Sequence, residues 1–383
     1  MVICQDHLVI SHLIISLPLR GPQALVLLGP SYSLPVAHNR KLKFVSVVFR
    51  HGDHTPCESF PNDKHKKNAW PQGFGQLTKL GIQRQYELGQ YMRKRYKHFL
   101  STVYNQFEIY VQSTDADPTL MSAQASLAGL YPLAGNQVWN PKILWQPIPV
   151  HTVPVSHDKL LHLPYPNCPR YNELQKETFA TRTFRRHLKH YRPFLRFLAV
   201  HTGYPLKRLN TERIIKIYDT LLCEEINNYT LPSWATHGVR TKLLKLTELL
   251  LRAEFGLHKQ KQKSRLQGGV LLKDILKHLS TARKPSNRRK IMIYSGHAAT
   301  IVALQMALNI FNGKLPPYSA CHFFELYQEK DGQYTIEMYY RNHSLKDPHP
   351  LTLPGCKFRC PLEQFNQLLS SIIVHHWTKE CRM

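Results

Sequence analysis

Residues 44–56 read F-V-S-V-V-F-R-H-G-D-H-T-P. Phe44, Val45, Val47, Val48 and Phe49 make a short apolar run that stops at Arg50-His51-Gly52. β-Branched and aromatic residues without polar alternation describe a strand covered on both faces, as in parallel sheets. Open α/β sheets place reactive groups in the crevice beyond the carboxyl ends of their strands, and this loop leaves from such an end. Gly52 permits a turn closed to other residues, and Pro56 stops the strand from resuming. The loop therefore presents Arg50 and His51 side by side. On these residues alone, a histidine that merely caps a hydrogen-bond network is an equal reading.

Two further segments repeat the plan. Residues 289–295, R-K-I-M-I-Y-S, open into Gly296-His297-Ala298-Ala299-Thr300 and then an apolar helical pattern through Ile301, Leu304, Met306 and Leu308. Residues 107–111 empty into Ser113-Thr114-Asp115-Ala116-Asp117-Pro118, where Ser, Thr, Asp and then Pro signal a helix N-terminus. Three strand ends, two of them with a histidine and all feeding helix N-termini, describe an anion site.

R-H-G-D-H-T-P resembles the R-H-G-x-R-x-P motif of the histidine acid phosphatases. The resemblance runs from about Lys41 to the C-terminus, through W-P-Q-G-F-G-Q-L-T, L-W-Q-P-I-P-V-H-T-V-P, T-L-P-S-W-A-T, S-R-L-Q-G-G-V-L, L-P-P-Y and M-Y-Y-R-N. One seven-residue motif could arise by chance; this many blocks in order could not. The family implies an α/β fold: a three-layer core with a mainly parallel central sheet flanked by helices, plus a smaller helical insertion domain. It also implies hydrolysis of phosphate monoesters at acid pH through a phosphohistidine, with phosphate esters or other oxyanions as ligands, no cofactor, and a homodimer.

Residue by residue, Arg50 and His51 match the family's first arginine and its nucleophile, and His297 matches the histidine that donates to phosphate. Three positions depart. The second arginine of the motif is His54 here, the arginine of the S-T-D-x-D-R-T block is Pro118, and the aspartate that protonates the leaving group is Ala298. Arginine suits such a site because its planar fork reaches two oxygens and stays charged. His54 can copy that charge only when protonated, Pro118 carries no donor, and Ala298 can pass no proton. Asp53 is a candidate substitute acid. Catalytic impairment is therefore the leading expectation, with an active phosphatase of rearranged site and a non-catalytic basic glycoprotein that binds polyanions as alternatives.

The chain has 383 residues, enough for a large core with an insertion. Lys and Arg number 51 against 25 Asp and Glu, a formal charge of +26 that suits polyanions. The basic clusters, R-T-F-R-R-H-L-K-H-Y-R at 182–192 and H-K-Q-K-Q-K-S-R at 258–265, lie on no nucleic-acid motif, so a solvated basic face is preferred to nucleic-acid binding. Residues 77–100 place Leu77, Leu80, Leu88, Tyr91, Met92 and Phe99 on one helical stripe, which reads as core packing. The expected organisation is a leader over 1–37, a core over 40–168 and 285–383, and a helical insertion over 169–284. Residues 334–341 alternate like an edge or antiparallel strand.

Leu8–Leu19 has the length of a signal peptide, although Ser11 and His12 interrupt it and Asp6 sits where positive charge is the rule. No later segment is apolar for long enough to span a bilayer. Of the eight cysteines, the resemblance implies the pairs Cys168–Cys381, Cys223–Cys321 and Cys356–Cys360, with Cys4 in the leader and Cys57 left free. Zinc is the rival for Cys356-x3-Cys360, but no second ligand pair stands at finger-like spacing, so no metal is expected. Asn228-Tyr-Thr and Asn342-His-Ser are glycosylation sequons. Cysteines and sequons together point to secretion or the lysosomal lumen.

Overall fold

The computed structural model describes residues 40–342 and 347–382. The expected leader therefore lies outside the described residues, as does part of the Asn342 sequon. The run at Phe44 forms β1 (Lys41–Arg50), and the two segments that repeat its plan form β2 (Ile109–Ser113) and β3 (Ile291–Gly296). These three pair in parallel in the order β2-β3-β1. Arg50 is level with Gly296, and Ser113 with Ser295, so all three strands end at one height.

The rest of the sheet corrects the expectation of mainly parallel pairing. β4 (Cys321–Gln328), β5 (Tyr334–Arg341), β6 (His349–Leu351) and β7 (Cys360–Pro361) join through antiparallel ladders: β1 with β4, β4 with β5, and β5 with both β6 and β7. Parallel pairing needs a long crossover, usually through a helix. After β4 the chain instead reverses within a few residues, closed by Glu329 N–H to the Gln333 carbonyl and by Gly332 at φ +83°. The sheet is thus mixed, and β5 is the antiparallel strand that its alternation predicts.

The helices are α1 (Lys79–Arg95), α2 (Asp117–Leu130), α3 (Pro169–Ala180), α4 (Arg182–Thr202), α5 (Thr211–Ile226), α6 (His237–Phe255), α7 (Gln260–Leu266), α8 (Gly268–Thr281), α9 (Ala298–Ala307), α10 (Leu362–Leu369) and α11 (Trp377–Arg382). Alternate residues of β1 feed two cores. Val45, Val47 and Phe49 pack with Leu88 and Met92 of α1 and Leu127 of α2. Phe44 and Val48 pack with Leu272 and Ile275 of α8, Leu304 of α9 and Phe365 of α10. Helices on both faces of one sheet give the three layers.

α1 is capped by the Thr78 side chain, which accepts from Gly81 N–H. Its buried face carries Gly81, Gln85, Leu88, Gly89 and Met92, whereas Leu80 is exposed, contrary to the predicted stripe. The reason is backbone contact with α2: a Cβ on Gly89 would stand 2.0 Å from the Ser126 carbonyl oxygen. Between β2 and β3, residues 169–281 form helices α3–α8. Phe194 and Leu198 of α4, Ile217 and Leu221 of α5, and Leu246 and Leu250 of α6 make a third cluster, which also takes in Ala298, Leu315 and Tyr318. That cluster joins the helical segment to the strand ends.

Disulfides Cys168–Cys381 and Cys356–Cys360 are formed. Cys223 and Cys321 are buried thiols rather than a bridge. They face different surroundings: Cys321 lies in the core between β1 and α1, whereas Cys223 Sγ is 3.7 Å from Tyr318 Oη. Cys57 is disulfide-bonded rather than free, at a half-buried loop position. Among the described residues, no helix is long and apolar enough to cross a membrane.

Candidate active site

β1 delivers Arg50 and His51 to the height at which β3 ends. Arg50 N–H donates to the Ala320 carbonyl and His51 N–H to the Gly296 carbonyl, which locks the loop to its neighbours on both sides. The Arg50 guanidinium lies 3.8 Å above the centre of the Tyr318 ring and donates to the Pro316 carbonyl at 2.9 Å. Gly52 is required by close approach: a Cβ there would meet the Gly81 carbonyl oxygen at 2.5 Å, while its N–H donates to Ser122 Oγ on α2.

His51 Nδ1 is 2.7 Å from the Gly52 carbonyl oxygen. A carbonyl only accepts, so Nδ1 carries the hydrogen and Nε2 of the neutral ring holds the lone pair. The His51 ring is 5.7 Å from the His297 ring and 5.0 Å from that of His54, between centroids. His297 is the N-cap of α9: its N–H donates to Thr300 Oγ1, and its Nε2 is 2.9 Å from Thr114 Oγ1 beyond β2. The three sequence-predicted histidines, His51, His54 and His297, therefore stand together with Arg50, all buried.

The three departing positions lie around them. His54 is buried, with Nδ1 2.5 Å from the Thr55 carbonyl oxygen and Nε2 3.7 Å from Asp219 Oδ1. Pro118 occupies the first turn of α2, where a missing N–H removes no intrahelical bond. Ala298 is the first residue of α9, buried in the cluster with Leu250 and Tyr318. Asp53, the candidate substitute acid, receives Arg84 at 2.7 Å; burial raises its carboxyl, and Arg84 offsets that rise only in part.

Three residues of this neighbourhood were given no role in the sequence. Tyr318, the last residue of L-P-P-Y, contacts Arg50, His51 and His54. Asp219 on α5 accepts from Tyr318 Oη at 3.2 Å. His162 packs edge-on against His297, and burial with that neighbour lowers it to about 4. Only the L-P-P-Y block could have flagged any of them, because the others carry no local pattern.

Residues 41–341 match the model of the histidine phosphatase superfamily (branch 2). The chain is 54% identical over 342 residues to the prostatic acid phosphatase of Bos taurus, covering 89% of this chain and 88% of that one. It is 47% identical over 367 residues to the lysosomal acid phosphatase of Xenopus laevis, covering 94% and 84%. Among solved structures, the Hafnia alvei phytase in complex with tartrate superposes with a TM-score of 0.67 at 17% identity, over 89% of this chain and 98% of that one.

Proposed function

The chain belongs to the histidine phosphatase superfamily, in the branch of the histidine acid phosphatases, and from that premise we propose that it is a phosphate-monoester-binding member whose hydrolytic step is impaired. The observation that carries this reading is one pair of neighbours: His297 beside His51, followed in the chain by the methyl group of Ala298. His51 Nε2 is the nucleophile, attacking phosphorus to give a phosphohistidine that water then cleaves. Arg50 and His297 hold the phosphoryl oxygens, with His54 at their side. The leaving alkoxide, however, finds no carboxylic acid at position 298. General acid catalysis contributes typically ~10²–10⁴-fold, and one preorganised donor roughly 10²–10³-fold.

The setting is the secretory route or the lysosomal lumen, in keeping with relatives named as lysosomal acid phosphatases and with disulfides, which persist in oxidising compartments. The division into a core over 40–168 and 285–383 and a cap over 169–284 is part of the same proposal, as is assembly as a homodimer. The test is turnover of an aryl phosphate at acid pH by the purified protein, with Ala298→Asp beside it. Turnover at an ordinary ~1–10³ s⁻¹ by the unchanged protein would refute impairment.

A second reading, polyanion binding, is favoured by the groove between α4 and α6. It is lined by His187, His190, His237, Lys242, Lys245 and Arg252 without an acidic residue. Lys242→Glu with Lys245→Glu should lower the salt needed to elute the protein from immobilised heparin; unchanged elution would remove this reading.

A further inference from the structure

The start of α8, the loop at Lys159, the loop before α11 and α11 itself enclose a surface cavity of about 790 Å³. Its lining carries Lys159, Lys273, His375, His376, Lys379 and Arg382, all of them exposed, and no acidic residue. We propose that this cavity is a binding site for sulfated glycan, distinct from both the histidine site and the groove between α4 and α6.

Three of these cations stand next to an acid in the sequence, and each time the fold turns the acid to another partner. Asp158, beside Lys159, accepts from the Leu160 and Leu161 N–H groups at 3.1 and 2.9 Å. Asp274, beside Lys273, accepts from Tyr294 Oη at 2.7 Å. Glu380, beside Lys379, is held by Arg265, whose Nε donates to it at 2.9 Å. The charges therefore alternate along the chain but separate in space. Walls of one sign, with their acids engaged elsewhere, focus the field and raise the local concentration of an anion.

The cavity is held rigidly. Trp377 Nε1 donates to the Leu266 carbonyl at 2.9 Å, Lys273 Nζ donates to the Val374 carbonyl at 2.7 Å, and Cys168–Cys381 ties α11 to the start of α3. A wall fixed in advance loses little conformational freedom when a ligand arrives. The volume falls within the roughly 300–1,000 Å³ of small-ligand sites. Trp377 offers an apolar wall, and Lys159 Nζ, 4.8 Å from the centre of its ring, puts a cation beside it. A sulfated sugar presents the complement to both, a C–H face and charged oxygens repeated along a chain. Other polyanions match less well. The apolar lining is Val270, Val374 and Trp377, none of them exposed, so no side chain here stands ready to enter a bilayer. One aromatic residue makes no row of stacking platforms for nucleotide bases. The inference does not depend on whether the histidine site turns substrate over.

Titration of the full chain with a heparin tetrasaccharide, read by tryptophan emission, separates this cavity from the α4–α6 groove, whose lining holds no tryptophan. Expected are a saturable emission change with the sulfated tetrasaccharide, none with its desulfated counterpart, and loss of the signal in Trp377→Phe. Lys379→Glu with Arg382→Glu should weaken binding by about 10-fold or more, as two reversed charges would. Lys242→Glu with Lys245→Glu, in the groove, should leave the emission titration unchanged. Absence of saturation, an equal response to the desulfated sugar, or equal weakening by both double variants would overturn the proposal. Phosphatidylserine vesicles that bind the parent but not the Lys379→Glu, Arg382→Glu variant, while the tetrasaccharide binds neither, would assign the cavity to a membrane surface and overturn it as well. Should the α11 variant fail to fold, Lys159→Glu, outside that helix, should weaken the tetrasaccharide by about 3-fold, and an unchanged affinity there would be equally fatal.

Discussion

Arg50, His51 and His297 stand on strand ends, while Asp219, Cys223 and Glu224 press against the same loops from α5. The strand-end group is basic and held by backbone: two ladders flank Arg50 and His51, and a helix cap fixes His297. The α5 group is acidic and buried. Burial lifts the Cys223 thiol well above its usual range, and burial together with Asp63 pushes Glu224 up to about 9. The strand-end residues also do structural work, for Arg50 stacks on Tyr318 and His297 starts a helix. Their presence is therefore what the fold needs with or without catalysis. The difference teaches that the positions able to report on activity are those where the chain departs from the family motif: His54, Pro118 and Ala298.

The largest expected effect breaks that comparison directly. His54→Arg, Pro118→Arg and Ala298→Asp together should raise kcat/KM for an aryl phosphate by at least the ~10²–10⁴-fold that a general acid supplies. The gain should exceed the product of the single gains, since groups acting as a unit are not additive. His51→Ala in that background should return turnover to background and remove the acid-labile phosphoprotein. A triple variant no faster than the parent would show that the strand-end group itself is incompetent.

Ala298→Asp alone should act next most strongly, and selectively. Poor leaving groups depend most on protonation, so the gain on an alkyl phosphate, roughly 10²-fold, should exceed that on a nitrophenyl ester. Equal gains on both esters would mean that the new carboxyl works by charge rather than by proton transfer. Ala298 packs with Leu250 and Tyr318, so the buried carboxyl should also lower Tm by a few degrees in a melt, a loss of roughly 1–3 kcal/mol.

Much of the strand-end group was legible because strands announce themselves locally. Three apolar runs ending in polar loops become adjacent parallel strands, and adjacency alone brings His51 and His297 to one height. The α5 group was not legible: Asp219 meets His54 across 165 positions of sequence, and nothing near either residue marks the encounter. Lys263 fails for a related reason. It sits within a basic run that reads as surface, yet its ammonium is buried and donates to Gln175, Thr178 and the Ala253 carbonyl, and burial draws it down to about 8. The predicted Leu80 stripe misled because glycines, which carry no hydropathy signal, form the contact face of α1. The mixed sheet likewise turned on short connections that strand patterns do not encode.

The smallest effect sharpens the contrast from the α5 side. Glu224 is buried at the junction with the loop after β1, and its folded-state carboxyl titrates near 9, burial being the main cause and Asp63 the next. In the unfolded chain it titrates near ~4.3. Below that value both states hold the proton, and its contribution to stability is fully present. As pH rises toward 9 the unfolded chain releases a proton that the folded chain retains, so stability falls across this interval. The protein should thus melt higher at pH 5 than at pH 8, and Glu224→Gln should flatten the dependence. Variant and parent should share a Tm near pH 4, with the variant ahead by about 2 °C or more at pH 8. Melts recorded from pH 4 to pH 8 check this, and a difference that stays constant or shrinks with pH would show that Glu224 is no stored acid.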